Sequence, residues 1–271
     1  MKLAVSSIAW TNEEEKDVAA VLQSLGVRYV EVAPTKIWDD PTKASTEDIA
    51  KYLAFWQGFG IEVVAFQSML FSRPDLKIFE NPANRAETLS YLQDFIRLAG
   101  KMGAKRMVFG SPKNRQKGVV SDDEARVIAK KFFDALGAVA KENDVVFCIE
   151  PNPTDYACDF VTTAMSGIDL VRSVNNEGFG LHLDIAGMTL ANDDIAMSIK
   201  DAQGLLKHFH ISAPFLGQVE DSKAVHHREA AKALKDSSYD GFISIEMRPG
   251  EAGQNVARVE QAVRFAQSVY S

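Results

Sequence analysis

The sequence predicts an α/β protein built as a single (β/α)8 TIM-type barrel, and three observations predict it. Short apolar runs alternate with longer segments of helical spacing along all 271 residues. There are eight of each, about one βα unit per 34 residues, and eight right-handed units permit closure into a barrel. No linker, charge block or low-complexity stretch interrupts the series, so residues 1–271 read as one domain.

The strands are the runs rich in Val, Ile and Phe at 3–8, 29–33, 62–67, 106–109, 145–150, 180–184, 208–212 and 242–246. Near-continuous apolar runs of this length suit parallel strands buried on both faces. The helices fall at 12–25, 45–59, 84–102, 122–142, 163–175, 193–205, 226–236 and 254–269. In the first, Val18, Val21, Leu22 and Leu25 mark one face, and Glu13, Glu14 and Glu15 sit at the positive N-terminal end. The second opens with Ser45, Thr46, Glu47 and Asp48 ahead of Ile49, Leu53 and Trp56, a capping pattern. Gly26, Gly60 and Gly103 stand where left-handed helix caps are expected. The long connections 34–44, 71–83, 111–120 and 214–225 all follow strands. In a barrel they lie on the C-terminal face, where substrate loops belong. The rival architecture is an open sheet with a phosphate-binding turn after the first strand. Ile8-Ala9-Trp10-Thr11-Asn12 contains no glycine, and no Gly-Lys-Ser/Thr sequence occurs, so that reading lacks its motif.

Composition narrows the partners. A formal charge of −7 repels polyanions on average, which disfavours nucleic acid and favours a small-molecule substrate. No apolar run approaches the ~18–20 residues that span a bilayer. The N-terminal Met1-Lys2-Leu3-Ala4-Val5-Ser6-Ser7 is soon followed by Trp10 and the acidic Glu13–Glu15, unlike a signal peptide. Cys148 and Cys158 form no Cys-x-x-Cys pair and read as reduced thiols, in keeping with a cytoplasmic protein. Assembly is left open; barrels of this kind often self-associate.

The last four strands end on ionisable groups: Cys148-Ile149-Glu150-Pro151-Asn152, Leu181-His182-Leu183-Asp184, His208-Phe209-His210-Ile211-Ser212 and Ser244-Ile245-Glu246-Met247-Arg248. A charge at the end of an apolar run is costly to desolvate unless it is paired or bound to a metal. Around a barrel these ends are consecutive, so Glu150, Asp184, His210 and Glu246 can converge at the C-terminal face. Three carboxylates and an imidazole make an oxygen-rich donor set for one divalent cation, Mn²⁺, Mg²⁺, Co²⁺ or Zn²⁺. A closed structural zinc site would use thiolates instead.

These four strand ends, with Ser238-Tyr239-Asp240-Gly241 before the last strand, resemble the sugar phosphate isomerase/epimerase group of the xylose isomerase-like barrel superfamily. The resemblance implies that Glu150 and Glu246 serve both as metal ligands and as an acid/base pair. It also implies a sugar, sugar phosphate or related polyol-ketone as substrate, isomerised or epimerised through an enediolate. The same constellation supports dehydration of a cyclic polyol or dehydroshikimate-like acid. More distant readings are a non-catalytic sugar-binding barrel and an abasic-site endonuclease; Phe66-Gln67-Ser68 and Phe109-Gly110-Ser111 lack the extra histidines a nuclease of this superfamily uses. Two departures from ketose 3-epimerases stand out. Gly187 occupies the histidine position of an Asp-x-x-His pattern, and residues 211–218 contain no arginine.

Further candidates for substrate or support roles are Glu31, Gln67, Asn152, His182 and Arg248. Lys113, Arg115 and Lys117 form a basic loop read chiefly as solvated. His208 shares the face of His210 but is assigned no metal role, for want of more histidines nearby. His226 and His227 begin a helix and carry no assigned chemistry.

Overall fold

The structure, a computed structural model, describes residues 1–222 and 224–271. Eight parallel strands, β1 (Lys2–Ser6), β2 (Tyr29–Val32), β3 (Glu62–Phe66), β4 (Arg106–Phe109), β5 (Val146–Ile149), β6 (Phe179–Asp184), β7 (Leu206–Ser212) and β8 (Phe242–Glu246), close into a barrel in sequence order. The seam is β1 against β8, with Lys2 opposite Phe242 and Val5 opposite Ile245.

Every expected strand is present, β4 and β8 with the expected bounds and the other six with shifted ends. The first stops at Ser6, where the hydroxyl accepts from the Ile8 amide at 3.4 Å and starts a 3₁₀ turn over Ser7–Ala9. The helices are α1 (Glu15–Ser24), α2 (Pro34–Ile37), α3 (Thr46–Gly58), α4 (Pro82–Met102), α5 (Asp122–Glu142), α6 (Ala164–Val174), α7 (Ile185–Leu190), α8 (Ile195–Asp201), α9 (His227–Asp236) and α10 (Asn255–Tyr270). The Ser45 cap forms as expected, accepting from the Asp48 amide at 3.1 Å, and Gly26, Gly60 and Gly103 all hold positive φ. Two short helices, α2 and α7, were not expected, and the helix expected at 193–205 shortens to α8. The cause of α7 is local: Asp184 caps it, its Oδ1 accepting from the Gly187 amide at 2.5 Å. No helix is long and apolar enough to cross a membrane among the described residues.

The apolar core lies between the barrel and its helices. Phe133 on α5 stacks on Phe179 of β6 with ring centroids 4.9 Å apart and meets Phe109 of β4 and Phe147 of β5. Burying each such ring contributes about 1.5–3 kcal/mol, which holds the wall that carries Glu150 and Asp184. The seam has a polar clasp. The Glu14 carboxylate accepts from Asn255 Nδ2 at 2.7 Å and from the Gly253 amide at 2.9 Å, tying the start of α1 to the start of α10.

Candidate metal centre

Strand register brings the predicted residues to one level. Asp184 stands opposite His210, and Ser212 opposite Glu246, across adjacent strands. One donor atom each from Glu150, Asp184 and His210 lies within 4.8 Å of the others. Glu246 flanks this triangle, its Oε2 3.4 Å from His210 Nδ1. All three carboxylates line one cavity of about 360 Å³ at the C-terminal mouth, with Gln67, Asn152, Tyr156 and Ser212. Ser111 and Pro112 from the loop after β4, and Phe215 and Leu216 from the loop after β7, complete its rim. Phe215 and Leu216 both hold φ +58, a left-handed conformation that costs a non-glycine residue. The Phe215 amide donates to the Tyr156 hydroxyl at 3.0 Å, which fixes that loop beside the cavity.

Each carboxylate has its own support. Gln67 Nε2 donates to Glu246 Oε1 at 2.9 Å. Asp184 divides its oxygens between the Gly187 amide and the Ser212 hydroxyl. Glu150 packs against Gly110 so closely that a Cβ there would stand 2.4 Å from its Oε2. Arg115 corrects the reading of a solvated basic loop. The 3₁₀ turn Pro112–Arg115 carries it inward, it is fully buried, and its Nη2 donates to the Glu150 carbonyl at 2.5 Å. Lys113 stays exposed, and Lys117 pairs with Asp122 at 3.1 Å.

The electrostatics record unbalanced negative charge. Burial, then Glu246 and Asp184, push the Glu150 carboxyl up to about 8. Burial and Glu246 push Asp184 up to about 6. Burial opposes a charged His210, yet Glu31 and Glu246 hold its imidazole well above the ordinary histidine value. The donor set therefore fits a divalent cation. It offers clustered oxygens whose mutual repulsion a dication relieves, and a His210 Nδ1 with no hydrogen-bond partner among the described residues.

Glu31 and His182, expected near the substrate, do not line the cavity. Both are fully buried inside the barrel. Glu31 belongs to β2 and His210 to β7, strands that are not neighbours, so they meet through the interior. A carboxylate can only accept, so His210 Nε2–H donates to Glu31 Oε2, at 2.9 Å. The pairing with His210 holds Glu31 well below the usual carboxylate range despite its burial. His182 and His208 complete this inner cluster, their ring centroids 4.1 and 5.2 Å from that of His210. Burial keeps His208 neutral, down to about 3. Arg248 is exposed and outside the cavity lining, its amide donating to the Leu216 carbonyl at 2.9 Å. His227 lies far from this chemistry in its contacts, with Nδ1 2.9 Å from the Tyr270 hydroxyl.

The family model described as xylose isomerase-like TIM barrel matches residues 19–269. A search of curated protein sequences finds no match. Among solved structures, D-psicose 3-epimerase with D-tagatose from Clostridium cellulolyticum H10 superposes with a TM-score of 0.82 at 17% identity, covering 100% of both chains. L-ribulose 3-epimerase gives a TM-score of 0.81 at 18% identity, covering 100% of this chain and 95% of that one. The IolI protein with a bound zinc atom gives 0.77 at 19% identity, covering 100% and 98%. At these identities the likeness establishes the fold.

Proposed function

The chain belongs to the xylose isomerase-like TIM barrel family, and from that premise we propose that it is a divalent-metal-dependent isomerase or epimerase of a sugar or related polyol-ketone. The observation that carries the reading is the meeting of Glu150, Asp184, His210 and Glu246 at one cavity. On this reading those four residues hold the cation. When bound, it would polarise a substrate carbonyl and offset the negative charge that develops when a neighbouring proton is removed.

The chain's own groups do the rest. Glu150 and Glu246 are the proton-handling pair: one carboxylate takes a proton from the carbon beside the carbonyl, and the other delivers one to the resulting enediolate. Return to the same carbon on its other face epimerises; return to the neighbouring carbon isomerises. Gln67 holds Glu246 in place, while Asn152 and Tyr156 present polar groups to substrate hydroxyls in the cavity. Phe215 and Leu216 give the cavity an apolar rim. No lysine or arginine lines the cavity among the described residues. An uncharged sugar therefore suits the interior, and a phosphate would have to extend to Arg248 outside it. The structural neighbours named as sugar 3-epimerases support the reaction class.

The test is solvent-deuterium incorporation into free ketoses, inososes and sugar phosphates, with Mn²⁺ and with chelator. Metal-dependent exchange at a carbon next to a carbonyl is the expected result. Absence of exchange in every substrate would overturn the proposal.

A further inference from the structure

Below the proposed centre, the barrel interior holds a second set of donors that the mechanism above does not use. One ring nitrogen each from His182, His208 and His210 lies within 4.8 Å of the others. The Glu31 carboxylate joins them, its Oε2 2.9 Å from His210 Nε2 and 3.9 Å from His208 Nε2. All four side chains are fully buried. Both nitrogens of His182, both of His208, and Glu31 Oε1 have no hydrogen-bond partner among the described residues. Five orphaned polar atoms in one spot are costly, because each buried group left unpaired forfeits its hydration without compensation.

We propose that this inner cluster is a second, closed cation site, with His182, His208, His210 and Glu31 as its ligands and Zn²⁺ as the ion it fits. The donor set is three imidazoles and one carboxylate, which suits a borderline cation that accepts nitrogen ligands and four-coordination. The outer centre, with three carboxylates, is the oxygen-rich one. The two therefore differ in which metal they prefer.

Charge accounting points the same way. Glu31, Glu150, Asp184 and Glu246 are four carboxylates in one continuous cluster, and Arg115 is the buried cation beside them. One dication leaves the group at −1; a second, bound with loss of the His210 Nε2 proton, brings it to zero. His210 then belongs to both sites, Nδ1 facing the outer carboxylates and Nε2 the inner cluster. His210 Nε2–H now donates to Glu31; binding of the inner cation releases that proton to solvent and leaves His210 as a bridging imidazolate. With no exposed ligand, the inner ion enters as the barrel folds.

The inference rests on the proposed outer centre only through the shared His210. The test is metal stoichiometry of the full chain, produced with Zn²⁺ supplied during expression and then dialysed, measured by elemental analysis. Wild type is expected to retain two equivalents per chain. His208→Leu and His208→Gln, which leave Glu150, Asp184 and Glu246 untouched, are each expected to retain one. Cobalt-loaded wild type should show the strong visible absorption of a four-coordinate nitrogen-rich site, lost in both variants. If one variant misfolds, the other with the wild-type spectrum decides the matter. One equivalent in wild type with no such absorption would overturn the inner site and assign its space to internal water. Two equivalents retained in a folded His208 variant would equally overturn it. Zero equivalents, by contrast, would sink the outer centre as well.

Discussion

Gln67 Nε2 donates to Glu246 Oε1 at 2.9 Å, joining the residue after β3 to the last residue of β8. These strands are not neighbours, so the bond spans the barrel mouth and fixes one carboxylate of the proposed acid/base pair from the far wall.

Removing that support should cost rate more than stability. Gln67→Leu is expected to lower turnover by roughly 10–100-fold, as losing a group that orients a metal-site ligand does, with the fold retained. Glu246→Gln should nearly abolish exchange, because an amide cannot take a proton. The deuterium-exchange rate of each variant checks both, and near-normal exchange in Glu246→Gln would refute the acid/base assignment.

Gly110 tests Glu150 without touching it. Its φ is not in the left-handed region, so Ala strains no backbone there, but the new Cβ would stand 2.4 Å from Glu150 Oε2. Gly110→Ala is expected to fold normally and lose at least ~10-fold in metal affinity, by analogy with disturbing a ligand's setting. Competition against a metal indicator reads this directly; an unchanged affinity would mean that Glu150 is not held by the cation.

Chelation should lower the melting temperature. A cation at a hundred times its Kd stabilises by about 2.7 kcal/mol, and in a domain of this size each kcal/mol moves Tm by about 2–4 °C. His210→Ala should abolish most of that difference. A Tm indifferent to chelator would contradict a resident cation.

His227 supplies a pH dependence away from the metal site. Burial lowers its imidazole from 6.5 to about 4. Between those values the unfolded chain takes up a proton that the folded chain refuses. Its contribution is therefore whole above about pH 6.5 and is lost as pH falls toward 4. At ~1.4 kcal/mol per pKa unit, the full loss is on the order of 3–4 kcal/mol. Urea unfolding at pH 7 and pH 4.5 should show a flatter profile for His227→Asn than for wild type. Parallel profiles would refute the assignment.

What was legible in the sequence follows from how local each signal is. The barrel could be read because each strand is a contiguous apolar run and each helix has its own period. Glu150, Asp184, His210 and Glu246 stood out because each ends such a run. Glu31 stands out as a charge within the apolar run 29–33, yet its partner His210 is 179 residues away and becomes a neighbour only when the barrel closes. Arg115 looked solvated because Lys113 and Lys117 flank it; a 3₁₀ turn reverses its direction, and nothing in three alternating basic residues announces that. The helix α7 was missed because Asp184 was read as a ligand alone, although Asp is also a strong helix cap.

The closing seam between β1 and β8 also sets an order of events during synthesis. A nascent chain that has emerged only through β7 leaves the edges of β1 and β7 bare, and such edges invite pairing with other chains. Glu246 arrives on the last strand to leave the ribosome, whereas Glu31 and Gln67 wait from the second and third. Translation at ~5–20 residues per second thus imposes an interval of about ten seconds or more between the earliest interior groups and the last. During that interval the β1 and β7 edges have no partner within the sheet, and the arrival of β8 is what removes both at once.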